Sequence, residues 1–567
     1  MKQLLPFLSI LLFTSSVLGQ GPKVLATDPV PQSMVKSPTE TIVVSFDQSI
    51  DESSVTQDTF RVFGRWSGPM DGTFSFENNS SVVKFIPLRD FFYGEWIRVS
   101  LSSGIQNNNS DPLEGGYSFN YWTKSLPASL DLEFGGKIDM RQSGEGTITC
   151  YGAYAGDVNN DEFSDLVVVT EDSDDIRILI SDGNMNYEPF IVIEMPADQG
   201  PSTNEGADFN RDGLIDMAIG STYTNTINVL MGDPVTHFGN QTSYVSDEGV
   251  RGLAVGDFDG DGWDDIATAN RAASNISLFF NDGTGSFGPA VYVDTNFAGE
   301  TSIAATDLND DGYVDLLVGA YDHNRVISLI NNGTGNFSVH ATALVGNGPW
   351  MIAIGDINGD GFADVATANR FTDDVSIVMT DGTGGFETAT HYPTNSFVVA
   401  IDLGDVDGDG DLDFISSNVI GGDYTLMEND GSGNFINPRV YPSIENSACA
   451  IIHDRNNDGA MDITMIDEAA DVVLLYNNTM ILDSNQLGNE TGLTLYPNPF
   501  HNKIHLVGSI SHEINFTLFD PFGRIILQQT VSPMAEIDLS GLVVSNGMYF
   551  AQLQQNNRTQ TVKLFKK

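Results

Sequence analysis

The chain has 567 residues, 41% of them hydrophobic, and a net charge of −52. That length exceeds one ordinary core, so several domains are expected. So acidic a chain argues against nucleic acid and anionic membrane surfaces as partners, because a phosphate backbone needs a basic counterface.

Residues 1–20 read MKQLLPFLSILLFTSSVLGQ. One lysine, an apolar run and then small residues make a secretory signal peptide. A membrane anchor is the alternative, but the run is short and lacks a cationic flank on its far side. No Cys follows that could carry a lipid, and nothing later is apolar enough to span a bilayer. The expected location is secreted or attached to the outer cell surface.

Residues 22–125 carry short alternating runs, TIVVSF, FRVFG, GTFSF, VVKFIP, EWIRVSL and YSFNYWT, between turn-rich pieces. Period-two patterning at this spacing predicts a small β-sandwich. The pieces VVSFDQSIDESSV and FIPLRDFFYGEWIRVSL resemble a bacterial Ig-like domain. The resemblance implies a spacer, with a binding role as the alternative.

From 130 to 478 the chain repeats. An acidic loop begins at Asp157, Asp208, Asp257, Asp307, Asp356, Asp405 and Asp454, in steps of 49 to 51 residues. Each unit has an apolar run into the loop, a run out of it, a third run, a Gly-rich turn such as DGTGSF, and a fourth run. Such a period predicts four-stranded blades closing into a seven-bladed β-propeller. The seventh unit stops at VVLLYNN without its fourth strand, whereas LDLEFGGKIDM, residues 130–140, precedes the first loop as an orphan. Pairing the two would clasp the ring. Cys150 and Cys449 stand just before the first and last loops. An oxidising destination permits a disulfide between them, and two free buried thiols fit equally well.

Within each loop, oxygen-bearing side chains stand at positions 1, 3, 5 and 9. A hard cation takes about six to eight oxygens, and alternate residues of a curled loop point inward. An EF-hand would need Glu at position 12 and a following helix. Position 12 is instead Val168, Ile219, Thr268, Val318, Thr367, Ser416 or Met465, and β-formers follow. The loops therefore join two strands.

These units resemble the FG-GAP or VCBS family, the repeats of integrin α-subunit propellers, in which D-x-[DN]-x-D-G-x-x-D binds calcium. By position the resemblance implies the ligand sets Asp157, Asn159, Asp161, Asp165; Asp208, Asn210, Asp212, Asp216; Asp257, Asp259, Asp261, Asp265; and Asp307, Asn309, Asp311, Asp315. The later loops give Asp356, Asn358, Asp360, Asp364; Asp405, Asp407, Asp409, Asp413; and Asp454, Asn456, Asp458, Asp462. Position 7, which is Phe163, Leu214, Trp263, Tyr313, Phe362, Asp411 or Ala460, would offer its backbone carbonyl. Up to seven Ca²⁺ would bring the charge from −52 to −38. Asp-Gly and Asn-Gly also form plain turns, but a turn does not need four such groups at fixed spacing in every repeat. Loop one departs from the pattern: Glu162 replaces the glycine at position 6, which predicts the weakest site.

Residues 479–486 read as a linker. Residues 487–567 carry net charge +1 and further strand patterns, predicting a second small β-sandwich. LYPNPF, FDPFGR, LSGL, NGMYF and VKLFKK, in that order, resemble the C-terminal sorting domain of the type IX secretion system. The resemblance implies that system's machinery as a partner.

The chain has no G-x-S-x-G, H-E-x-x-H or Walker motif. Its eight histidines are scattered, with His237, His323, His340, His391 and His453 among the repeats. If the acidic loops share one face, the other face carries Arg271, His323, Arg325 and Arg370, with Glu248, Arg251, Glu300, Trp350 and Phe397. Exposed Arg and aromatic residues on a rigid ring suit binding, and they equally suit solvated loops. The sequence thus predicts an all-β, calcium-stabilised propeller flanked by two sandwiches, acting as an adhesion or ligand-binding module for a glycan or extracellular protein. A polysaccharide-active enzyme such as a lyase, marked by a Tyr, His and Arg cluster opposite the ions, and a purely structural surface component are the alternatives.

Overall fold

The computed structural model describes residues 20–34 and 37–479, and the strands and short stretches between 494 and 566. The signal peptide and the linker lie outside the described residues. Among the described residues the structure is all-β, with two single-turn 3-10 segments at Glu52–Ser54 and Tyr321–His323 and no α-helix. The chain divides into two compact units, Met1–Met480 and Ile481–Lys567.

In the first unit, residues 24–122 form two four-stranded antiparallel sheets. Their inward residues, including Val44, Phe60, Phe85, Val99, Phe119 and Tyr121, are buried in one core. The alternating pattern of Ile42–Phe46, buried at every second residue, is what gives each strand one core face.

Seven further four-stranded antiparallel sheets follow, one per repeat. In each, the strand out of the acidic loop is buried on both faces, as in Asp265–Asn270 and Asp364–Asn369, which explains its unbroken run of small and β-branched residues. The first strands of neighbouring sheets touch in sequence order, and that of the seventh, Ser447–His453, touches that of the first, Cys150–Gly156, so the order is cyclic. The seventh sheet takes its fourth strand from the beginning of the region. Glu133–Asp139 pairs antiparallel with Val472–Asn477, with Val473 opposite Ile138. The expected clasp is therefore present.

Every first strand carries a register shift at its second residue, from Cys150/Gly152 in repeat one to Ser447/Cys449 in repeat seven. Such a bulge leaves one residue unpaired and turns its side chain off the ladder. The bulged residues are Tyr151, Ser202, Arg251, Thr301, Trp350, Val399 and Ala448. Cys150 and Cys449 are both buried and free. They share one core with the residues of the clasp, so packing rather than a disulfide closes the seam.

The second unit has one sheet of Thr494–Tyr496, Lys503–Val507 and Glu536–Asp538. Another comprises Ile525–Val531, Ile514–Phe519, Gly547–Gln555 and Arg558–Lys566. Ile504, Leu506, Phe516, Leu518 and Leu553 are buried between them.

Candidate functional site

The seven acidic loops share one hydrogen-bond plan. The carboxylate at position 9 accepts the backbone N–H of position 2 on one oxygen, as Asp265 does from Phe258 at 3.0 Å. Its other oxygen accepts an N–H 16 residues on, at the end of the third strand, as Asp265 does from Asn281 at 2.8 Å. The same two bonds recur at Asp165, Asp216, Asp315, Asp364, Asp413 and Asp462. The position-1 carboxylate curls the loop by accepting the N–H of position 6, at 2.8 Å for Asp257 and Gly262 and 2.7 Å for Asp454 and Gly459.

That curl needs a left-handed residue at position 6. Glycine supplies it in six loops, and in loop one Glu162 takes φ 70°. A side chain there costs about 1–2 kcal/mol, a strain that the six loops with glycine do not carry. In four loops position 7 also packs on the Gly-rich turn. The rings of Phe163, Trp263, Tyr313 and Phe362 lie over Gly183, Gly283, Gly333 and Gly382, where an added Cβ would meet them at 2.4–3.1 Å. In those four turns the glycine is thereby explained; in repeat six the neighbour of Gly431 is the Asp411 carboxylate, 3.2 Å from an added Cβ.

Burial crowds these acids. Burial first, and neighbouring carboxylates after it, hold Asp257 and Asp265 well above the usual carboxylate range. Burial likewise pushes Asp315 and Asp364 up to about 8 and Asp405 up to about 7. Asp257, Asp259 and Asp265 offer oxygens within 4.8 Å of one another, and so do Asp405, Asp407 and Asp409. Both sets could hold a metal ion. The other five loops, with Asn at position 3, bring no such acidic triad together among the described residues. In loop six one oxygen each of Asp405 and Asp411 is buried without a hydrogen bond. Two orphaned carboxylate oxygens are what a cation would satisfy, so the residues fit one. The side chain of Asp411, a residue expected to contribute only its carbonyl, is pushed up to about 8 by burial and then by Asp409, Asp405 and Asp407.

The repeat pattern carried one further signal. Asn281, Asn331, Asn429 and Asn478 each stand 24 residues after position 1. Their amides donate to a carbonyl of the preceding repeat, as Asn281 does to Phe209 at 2.9 Å and Asn331 to Phe258 at 2.8 Å. They tie sheet to sheet.

The Ig-like domain sits on the loop face, which changes the spacer expectation. Arg98 Nη2 lies 2.9 Å from Asp264 Oδ2, and Arg61 donates to the Asp208 carbonyl at 2.9 Å. The Ser118 N–H donates to the Gly312 carbonyl at 2.7 Å, and that of Ala128 to Asp407 at 2.7 Å. At Gly260 an added Cβ would lie 2.1 Å from the Gly115 oxygen, so the approach itself requires glycine. Phe63, Arg65, Trp96 and Trp122 reach over the centre of the ring and line a cavity of about 160 Å³ with Glu205 and Asp402. Arginines from the two inner strands of one sheet, Phe60–Gly64 and Trp96–Leu101, meeting an acidic loop face account for the docking.

The opposite face remains open, and there the bulged residues meet the loops between second and third strands. The Trp350 indole N–H donates to Tyr151 Oη at 2.9 Å. The guanidinium carbons of Arg370, Arg271 and Arg251 lie 4.3, 5.2 and 5.5 Å from the Trp350 ring centre. Arg271 also lies 4.6 Å from Tyr321, and Arg370 lies 4.1 Å from Phe397. Arg251 pairs with Glu171 at 3.3 Å. Of the face residues singled out in the sequence, Arg251, Arg271, Trp350, Arg370 and Phe397 come together. His323 and Arg325 instead flank Phe297, and the Glu300 carboxylate turns to Thr295. Tyr151 and Tyr321 were not foreseen. His453, fully buried, hydrogen-bonds Ser164 at 2.9 Å and Thr464 at 2.8 Å as a core residue.

A cyclic series of four-stranded sheets with acidic first loops, an Ig-like domain and a separate β tail is the architecture of a repeat-built surface or secreted protein. The family models agree: FG-GAP-like repeats match in five overlapping segments from 157 to 416, a bacterial Ig-like domain matches 19–123, and a secretion system C-terminal sorting domain matches 494–567. The chain is an FG-GAP-like repeat protein with that leading domain and sorting tail. The tail marks it as exported through the type IX system and either secreted or held at the outer surface. No described helix is long and apolar enough to cross a membrane.

No curated protein matches the chain. Among solved structures, virginiamycin B lyase from Staphylococcus aureus aligns at 13% identity and TM-score 0.44, over 61% of this chain and 99% of that one. An Agrocybe aegerita lectin that recognises non-reducing terminal N-acetylglucosamine aligns at 17% identity and TM-score 0.40, over 79% and 100%.

Proposed function

We propose that the seven sheets are the blades of a calcium-stabilised propeller, flanked by two β-sandwich domains, that works outside the cell as a ligand-binding module. Calcium in the acidic loops fixes the first hairpin of each blade and supplies positive charge among the crowded carboxylates. The 28 side chains at positions 1, 3, 5 and 9, with Asp411 in addition, would hold the ions. The ligand, a glycan or an extracellular protein, binds on the face opposite the acidic loops.

The observation that carries this reading is the occupied loop face. With Arg61, Arg98 and the segment 103–128 seated on the ion loops, approach from outside is left to the face around Trp350. A lyase would use a base beside the Tyr and Arg cluster. Tyr151, its phenol raised by burial, is one candidate, and Glu468 across the mouth, pushed up to about 7, is another. The test is an array of glycans and matrix proteins probed with the mature protein, with calcium and with chelator. Calcium-dependent retention supports the module; release of product from any polysaccharide would replace it with the enzyme.

A further inference from the structure

Structurally equivalent positions of the seven repeats carry different residues at the open mouth. The inner ring of bulged positions holds Arg251 in repeat three and Trp350 in repeat five. The outer ring, 14 residues after each first loop Asp, holds Arg271, Tyr321 and Arg370 in repeats three to five, but Glu171 and Glu468 in repeats one and seven. Repetition alone would distribute these types evenly. The mouth therefore has a cationic, aromatic half and an acidic half.

Arg251 of that first half is paired with Glu171, but Arg271 and Arg370 are not spent internally. The chain has 77 Asp and Glu against 25 Lys and Arg, yet neither Arg271 nor Arg370 has an ion-pair partner among the described residues. The Nε of each is buried without a hydrogen bond. Both guanidinium groups instead lie over rings, Arg271 4.6 Å from Tyr321 and Arg370 4.1 Å from Phe397, which restrains them and lowers the entropy lost when an anion binds. Phe371 beside them is 58% exposed.

We infer that this mouth binds an acidic saccharide, its carboxylate or sulfate received by Arg271 and Arg370. A planar or tetrahedral oxyanion matches the guanidinium fork. The apolar face of a pyranose, held at fixed distance from its anionic group, meets Tyr321, Phe371 and Phe397. Its hydroxyls then have Glu171 and Glu468 across the mouth as acceptors. An acidic peptide also suits the arginines but lacks the pyranose face for the exposed ring of Phe371 and the hydroxyls for those glutamates, so the saccharide fits both halves. The inference rests on the open-face reading and specifies its ligand.

The test is calorimetric titration of the full mature chain in calcium with three oligosaccharides of equal length, one of hexuronic acid, one sulfated and one neutral, and with a Glu-rich peptide. The uronate or the sulfated oligomer binds at least tenfold tighter than the neutral one, and the comparison of those two arms assigns the anion. Arg271→Gln with Arg370→Gln abolishes that preference while the melting temperature stays within a few degrees. Arg325→Gln, away from the cluster, changes nothing. Equal binding of the neutral sugar, tighter binding of the peptide, or an unchanged preference in the double variant overturns the acidic-saccharide inference but leaves a ligand on the open face. If no probe binds, the inference fails. If the array ligands also bind undiminished when Trp350 is replaced by Ala, the open-face reading fails with it.

Discussion

The indole N–H of Trp350 and the phenol oxygen of Tyr151, 199 residues apart, meet at 2.9 Å and join repeat five to repeat one across the mouth. Both come from bulges, so each side chain stands off its ladder toward the ring axis. Tyr151→Phe removes the acceptor, leaving an indole N–H short of a partner at a cost of about 1 kcal/mol. Chemical denaturation of the single and double variants with Trp350→Phe, analysed as a cycle, should return a coupling of that order.

The clasp carries a larger share. Deleting residues 130–140 strips the seventh sheet of Glu133–Asp139 and exposes the edge Val472–Asn477. The melting temperature should fall by more than ~5 °C, and scanning calorimetry in calcium would detect it. An unchanged transition would mean that the ring does not depend on this pairing.

Loop one offers the opposite sign. Glu162→Gly relieves a left-handed φ of 70° and should stabilise by ~0.5–1 kcal/mol, the gain reduced by the extra freedom of glycine in the unfolded chain. Calcium titration followed by melting temperature should show the variant saturating at lower calcium than the parent.

Docking of the Ig-like domain is set by Asp264, whose side chain is 6% exposed and lies 2.9 Å from Arg98. Arg98→Ala leaves that carboxylate short of a counter-charge, with Arg61 at 3.8 Å as the remaining cation, and should cost ~2–3 kcal/mol. Limited proteolysis between 101 and 130 should accelerate in the variant. If calcium fills the acidic loops as proposed, chelator should have a similar effect on the parent, because the carbonyls that receive the domain belong to those loops.

At the mouth, burial first, then Glu171 and Asp467, push Glu468 up to about 7, against the pull of Arg370 and Arg251. An acid raised in the folded state binds more protons folded than unfolded. Stability is therefore lost as pH rises from its ordinary value near 4.5 through 7. Glu468→Gln should leave stability at pH 4.5 nearly unchanged. At pH 8 it should raise stability by on the order of 1 kcal/mol, allowing for solvent screening. Melting curves across that range read the difference.

The period near fifty residues, the four strand runs and the orphan strand were all legible in the sequence, because hydrophobic alternation and Asp spacing are local properties. The position-9 aspartates were also legible as special, although their bonds to a strand end 16 residues on were not. The bulges escaped, since a bulge is set by pairing between strands and leaves no mark in composition. So did the docking of the Ig-like domain, which depends on Arg61 and Arg98 meeting backbone oxygens that a sequence does not display. Asp411 was read as offering only its backbone carbonyl, as any residue at position 7 would; only the burial of its carboxylate beside Asp405 distinguishes its side chain.

The strand Glu133–Asp139 also orders events in time. It leaves the ribosome roughly 330 residues before the edge it pairs with, a long-range contact of the slow-forming kind. Until Val472–Asn477 is made, the first and last repeats each keep an exposed flank, and the sorting tail follows soon after that edge. The closed ring and the export signal thus become available almost together, so a truncated product would have neither a closed seam nor a tail by which to leave the cell.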